Sequence, residues 1–166
     1  LKILITGGKS AATMKLLKAF EGQEIILADY GEIPAFSSSS YKFVTLGEIN
    51  DTIAHNILNV CLDHQVDMLL PLHEFEINPL AKAAVLFEEF NIELLIPDVT
   101  DVLKYFYPQQ DIVPGLHWYF FRNGNLQFPA VANEMILEVG REKQLQGIYY
   151  IPEDVEGVTA MLFTIP

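Results

Sequence analysis

The segment Pro71-Leu72-His73-Glu74-Phe75-Glu76 puts an imidazole beside two carboxylates. At the carboxyl end of a strand, where open parallel sheets bind ligands, such a set positions a substrate amine or a metal-bound nucleotide. It is a poor metal site by itself, because no other ligand cluster accompanies it. Glu76 also falls near a helix N-terminus, where its charge is stabilised without any ligand. The second candidate is the turn Thr6-Gly7-Gly8-Lys9-Ser10. A phosphate-binding P-loop needs a glycine where Ile3 stands, and the dinucleotide fingerprint needs glycines where Lys9 and Ala12 stand. What survives is a Gly-rich strand-to-helix turn whose amides suit an anion, with Lys9 adding a positive charge. The plainer reading is a tight turn that needs small residues. Asp29 closes the second apolar run, where dinucleotide folds hold a carboxylate for ribose hydroxyls. A solvated strand-end carboxylate is its plainer alternative.

Gly7, Gly8, Lys9 and Ser10 are therefore the candidate phosphate or carboxylate end of a pocket, and Asp29, His73, Glu74 and Glu76 its polar rim. No catalytic residue and no metal ligand is assigned. His55, His64 and His117 share no ligand spacing, and no Gly-x-Ser-x-Gly elbow is present. Cys61 falls on the buried stripe of its helix, which makes it an inert core thiol.

The elements that would carry these residues follow from apolar patterning. Lys2–Thr6, Glu24–Ala28, Phe43–Thr45, Val66–Leu70 and Ile92–Ile96 are short strand-like runs without polar alternation. Amphipathic stretches separate them. The first runs from Ser10, its N-cap, to Phe20, with Met14, Leu16, Leu17 and Phe20 inward. Ile49, Ile53, Ile57 and Cys61 mark a second, capped by Asn50 or Asp51. Asn78-Pro79 predicts the start of a third, which buries Ile77, Leu80, Ala84 and Phe87. Asp98 caps a short last one with Val99, Val102, Leu103 and Phe106 inward. Tyr30 to Tyr41, with its serine run Ser37 to Ser40, is a loop. Strands alternating with helices predict an α/β fold: a Rossmann-like three-layer domain with a parallel sheet over residues 1–107.

Residues 108–166 change character and predict a small α+β extension packed on the first part. Asn123-Gly124 is the preferred dipeptide of a two-residue type I′ hairpin spanning 118–128, pairing Phe121 with Leu126 and Tyr119 with Phe128. A helix over 130–143 would bury Val131, Met135, Ile136 and Val139, and strands follow at 148–151 and 158–165. The aromatic cluster Trp118 to Phe121 with Phe128 is hairpin core or, if left exposed, a dimer face.

The ordered set Ile3-Leu4-Ile5-Thr6-Gly7-Gly8, Ile25-Ile26-Leu27-Ala28-Asp29, a Ser-rich loop, Val66-Asp67-Met68-Leu69-Leu70-Pro71 and His73-Glu74-Phe75-Glu76 resembles one domain type. It is similar to the N-terminal "pre-ATP-grasp" domain of carbamoyl-phosphate-synthase-like ATP-grasp ligases, over about residues 1–107, and Asn91 to Ile96 also fits. The resemblance implies a Rossmann-like domain that helps form the acceptor-substrate side of an active site and takes part in subunit contacts. It implies that ATP is held by later lobes, through strand lysines and acidic magnesium ligands. Here Asn133 stands where a similar enzyme has the ATP-binding lysine, and the chain after residue 107 is too short for those lobes.

Composition bounds the rest. The chain has 166 residues, 51% hydrophobic and 19% charged, enough to build a core and too few charges for a disordered chain. Ten Lys and Arg against 22 Asp and Glu give a net charge of −12, which repels nucleic acid and anionic membranes. One cysteine fits a reducing, cytoplasmic setting. The opening Leu1 to Gly8 is too short for a signal peptide, and a start at Leu1 rather than Met points to a trimmed terminus. The expected role is a stand-alone pre-ATP-grasp-like domain that binds a small anionic or amino-acid-like ligand, or partners another subunit, without ligase activity of its own. It needs no cofactor, ATP and magnesium entering only with a separate ATP-grasp partner. The alternatives are the acceptor-substrate subunit of a split carboxylate–amine ligase and a structural homodimer.

Overall fold

The computed structural model describes residues 1–35, 38–108, 117–152 and 160–166. Five strands, β1 (Lys2–Thr6), β2 (Glu24–Asp29), β3 (Tyr41–Thr45), β4 (Met68–Leu70) and β5 (Glu93–Leu94), form a parallel sheet in the order β3-β2-β1-β4-β5. This is the Rossmann-like α/β layout that the apolar runs imply. The chain winds outward from β1 to β3, then returns to place β4 on the other side of β1. The switch point, where the following loops diverge and a crevice opens, therefore lies between β1 and β4.

Alternation along each strand sends side chains to two faces. Leu4, Ile26 and Leu69 pack with Ile57, Cys61, Ile77, Leu80 and Phe87 from the helices α2 (Ile53–Asp63), α3 (Glu74–Lys82) and α4 (Ala84–Glu89). Ile3, Ile5, Ile25, Leu27, Met68 and Leu70 face the other way. There they meet Leu16, which links the short helix α1 (Ala11–Met14) to the 3₁₀ turn Leu17–Phe20, and Phe20 from that turn, together with Phe120, Ile148 and Phe163. Phe120 and Ile148 belong to an antiparallel sheet and Phe163 follows its last strand, so part of this layer is sheet rather than helix. Each such side chain taken out of water contributes about 1.5–3 kcal/mol, so both faces are strongly specified.

The antiparallel sheet has the order β7-β6-β8-β9, from β6 (Trp118–Arg122), β7 (Asn125–Phe128), β8 (Gly147–Tyr150) and β9 (Met161–Leu162), with α6 (Glu134–Lys143) behind it. It abuts the edge of the parallel sheet. Arg122 pairs with Glu93 at 2.7 Å, and a Cβ on Gly147, whose φ is 113°, would collide with the Leu95 carbonyl. Asn123 and Gly124 both have positive φ, as a type I′ turn requires.

Several local expectations are corrected. The single helix from Ser10 is two tight turns; Ser10 caps α1, but Met14 points outward and Thr13, Leu16 and Phe20 are buried. Ile49 precedes α2 and is exposed, and Asn50 accepts from the Thr52 amide rather than capping the helix directly. The third helix begins at Glu74, not at Asn78-Pro79, so Pro79 sits inside it. The helix α5 (Val102–Tyr105) buries Val102 and Tyr105 and leaves Val99 and Leu103 exposed. Phe128 pairs with Phe120 instead of Tyr119, because a bulge between Phe120 and Phe121 shifts the register. The helix expected from residue 130 starts at Glu134, capped by Asn133, and Val131 is exposed. Of the strand expected over 158–165, Met161–Leu162 is strand, and residues 158 and 159 lie outside the described residues, as does Ser37. No helix among the described residues is long and apolar enough to cross a membrane.

Candidate functional site

The ends of β1, β2 and β4 deliver polar groups to one place. Thr6 is the last residue of β1 and Asp29 the last of β2; His73 and Glu76 open α3, just beyond β4. Glu76 is fully buried. Its Oε1 accepts from the Thr6 hydroxyl at 2.5 Å and from the His73 amide at 3.1 Å, and its Oε2 accepts from the Tyr30 hydroxyl at 2.7 Å. Thr6 in turn accepts from the Leu72 amide at 2.8 Å. One carboxyl group thus ties β1, the end of β2 and the start of α3 together. It also accepts from the amide of His73, the residue that caps α3, which is why α3 starts where it does.

Asp29 faces the other side of His73. Its Oδ1 lies 2.9 Å from His73 Nε2 and accepts from the Tyr30 amide at 2.9 Å, while Oδ2 accepts from the Lys9 amide at 3.0 Å. The imidazole stacks on Phe75, with ring centres 5.0 Å apart, and Tyr30 packs at 5.7 Å from it. His73 Nδ1 is buried without a well-aligned hydrogen-bond partner, and the Pro166 backbone acts on the ring.

The two carboxyl groups are tuned in opposite directions. Burial pushes both upward. At Asp29 the hydrogen bonds from His73, Lys9 and Tyr30 outweigh burial and hold the carboxyl below its usual range. At Glu76 the bonds from Thr6 and Tyr30 and the charge of His73 do not, and the carboxyl stays above its usual range. Burial opposes the charged form of His73, but the Asp29 bond, the charges of Glu76 and Asp29 and the Pro166 backbone outweigh it and raise the imidazole. An Asp29 carboxylate holding a His73 imidazolium is the favoured pair. Its Nδ1–H is then a buried donor in need of an acceptor.

The structure gathers Gly7, Gly8, Lys9, Asp29, His73, Glu74 and Glu76 around the switch point, with different roles from those their types suggest. Among the turn amides, Gly8 donates to the Ala28 carbonyl, Lys9 to Asp29, and Ser10 to the Gly7 carbonyl. The Ser10 hydroxyl caps the Ala12 amide. Lys9 Nζ donates to the carbonyls of Tyr30 and Glu32. The chain's own Asp29 carboxylate fills the place expected for an external anion. The Glu74 amide donates to the Ile165 carbonyl. Thr6, Tyr30 and Phe75 are site residues not singled out from the sequence: Thr6 and Phe75 lie inside the two candidate segments, and Tyr30 carries only its place next to Asp29. Cys61 is buried, and burial pushes its thiol up to about 12, so it is inert. Elsewhere, a cleft of about 460 Å³ at the β5 edge is lined by Glu88, Asp98, Asp101, Lys143 and Gln146, remote from this constellation.

A parallel sheet whose polar groups converge beyond the carboxyl ends at a switch point defines a Rossmann-like domain. The chain belongs to the family of PylC-like N-terminal domains: the family's model matches residues 3–95, which span β1 to β5 and every residue of the constellation numbered from Gly7 to Glu76. This is the pre-ATP-grasp, Rossmann-like domain that the ordered motifs resemble. A solved structure of glycinamide-RNase-transformylase T from Mycobacterium tuberculosis is similar at 20% identity and a TM-score of 0.43, covering 63% of this chain. The chain spans about a third of that protein's length, the match covering 31% of it. No curated protein matches the sequence.

Proposed function

We propose that this chain is the acceptor-substrate lobe of an ATP-grasp-type ligation system and binds a small anionic or amino-acid-like ligand beside Asp29 and His73. The family's description as an N-terminal domain supports a role beside further lobes. The observation that carries the reading is the Asp29–His73 pair with its unpartnered Nδ1. A positively charged, carboxylate-oriented imidazole presents one donor to a ligand carboxylate or phosphate, while Phe75, on the exposed side of the stack, offers an apolar face. In this reading His73, rather than the glycine turn, meets the anion.

The reading is tested by titrating the protein with α-amino acids, short-chain carboxylates and nucleotides while following the His73 ring by NMR. The expected result is saturable movement of the His73 and Phe75 signals with one of the first two groups, abolished in His73→Gln. Perturbation by nucleotides alone, or no movement of these signals with any member of the panel, would overturn it. Of the aromatic cluster named as a possible dimer face, Tyr119, Phe120 and Phe121 are buried, and Trp118 and Phe128 are half-buried. Trp118 and Phe128 stack on each other beneath the Lys18 ammonium.

A further inference from the structure

The crevice at the switch point is not open. After β9, Phe163 donates its amide to the Ile148 carbonyl and stacks on Tyr150 at 5.0 Å, which anchors the chain on the antiparallel sheet. The next residues cross to the parallel sheet. Ile165 bridges to His73: its amide donates to the Leu72 carbonyl at 2.7 Å, and its carbonyl accepts from the Glu74 amide at 3.0 Å. Its side chain, 7% exposed, lies so close over Gly7 that any Cβ there would collide with Cδ1. The backbone of Pro166 acts on the His73 imidazole, whose Nε2 is already engaged by Asp29.

We propose that residues 164–166 form a strap that occupies the ligand crevice in the unliganded protein and must swing away to expose His73 Nδ1. The strap takes up the Leu72 carbonyl and the Glu74 amide, on either side of His73, and fills the space over Gly7. Its hold on the parallel sheet is slight. Among the described residues, two main-chain hydrogen bonds, the Ile165 side chain and the Pro166 backbone beside the His73 ring secure it, whereas β1 is paired along both edges. Segments with few contacts open locally, well short of global unfolding. A ligand must compete with the strap, so its apparent affinity falls by the fraction of molecules that are open.

This inference draws its functional meaning from the crevice being the ligand site, but its test needs no ligand, so the two readings fail separately. In native-state hydrogen exchange on the whole chain, the Ile165 and Glu74 amides should exchange at least about a hundredfold faster than the Leu4 and Leu69 amides, with little denaturant dependence. Exchange of all four at one common, denaturant-sensitive rate would overturn the strap. In a second experiment, Ile165→Ala should raise carbethoxylation of His73 by diethylpyrocarbonate about tenfold, with alkylation of the buried Cys61 unchanged. No change at His73, or an equal rise at Cys61 that marks global opening, would count against it.

Discussion

Two buried carboxyl groups on either side of His73 end up with different jobs. Glu76 receives three donors from parts of the chain far apart in sequence, and those partners all belong to the scaffold. Asp29 receives two amides, and its remaining contact is a titratable ring whose far nitrogen is unpartnered. Both groups are acidic, buried and at the sheet's carboxyl edge, so proximity to the crevice does not separate them. What separates them is where the hydrogen-bond network ends. A network that closes on the scaffold holds the fold together; one that stops at an unpartnered donor has capacity left for a ligand.

The strongest way to break this comparison is to remove Glu76. Glu76→Ala leaves the Tyr30 hydroxyl and the His73 amide buried without acceptors, and should cost about 3 kcal/mol of stability in urea denaturation. Glu76→Gln keeps an oxygen for Thr6 and His73 and turns its amide toward the Tyr30 oxygen, so it should cost only about 1 kcal/mol. Equal losses for the two variants would show that burial volume, not hydrogen bonding, is what Glu76 supplies. The pH dependence sharpens the point. Because the Glu76 carboxyl is raised, its protonated form favours the fold; that contribution is complete below 4.5 and fades as pH rises through the raised value. Glu76→Gln should remove this limb of the stability profile.

The Asp29–His73 pair has a smaller and bounded effect. Asp29 is depressed, so its contribution is present above 3.8 and is lost as pH falls through the depressed value. His73 is raised, so its contribution is complete below 6.5 and is lost as pH rises through the raised value. Both operate together between 3.8 and 6.5. Within that window His73→Gln should lower stability by about 1 kcal/mol, and the deficit should shrink above it. A deficit that persists unchanged at alkaline pH would mean that His73 contributes through packing on Phe75 rather than through charge.

The parallel sheet is legible because its strands are buried on both faces and so appear as unbroken apolar runs, and Asn123-Gly124 fixes its hairpin by backbone chemistry alone. The start of α3 is not legible in the same way. Asn78-Pro79 carries the local signal of a helix start, yet Glu76 overrides it by capping the His73 amide while partners at β1 and at the end of β2 hold it in place. No window of neighbouring residues contains that information. Met14, Val99 and Leu103 mislead for another reason: they fall in or beside helices of about one turn, too short for periodicity to fix a face. The candidate residues lie in one neighbourhood because they sit at strand ends and in the turns after them, which a parallel sheet brings to one edge. Their roles depend on which amide meets which carboxylate, and that is a property of the assembled sheet.

The glycine turn supplies the finest test, because there the sequence favours an anion and the structure spends the donors internally. Among the described residues, Lys9 Nζ reaches the carbonyls of Tyr30 and Glu32, on the exposed side of the turn. Its amide, not its ammonium, is what holds Asp29. Lys9→Gln should therefore change stability by less than about 0.5 kcal/mol and leave the His73 titration where it was. Adding inorganic phosphate should not shift the Gly8, Lys9 and Ser10 amide resonances in either protein. A phosphate-dependent shift of those amides, lost in Lys9→Gln, would mean that Asp29 gives way to an external anion. The two carboxyl groups would then differ in another sense: Glu76 as a permanent tie, and Asp29 as a stand-in that a ligand replaces.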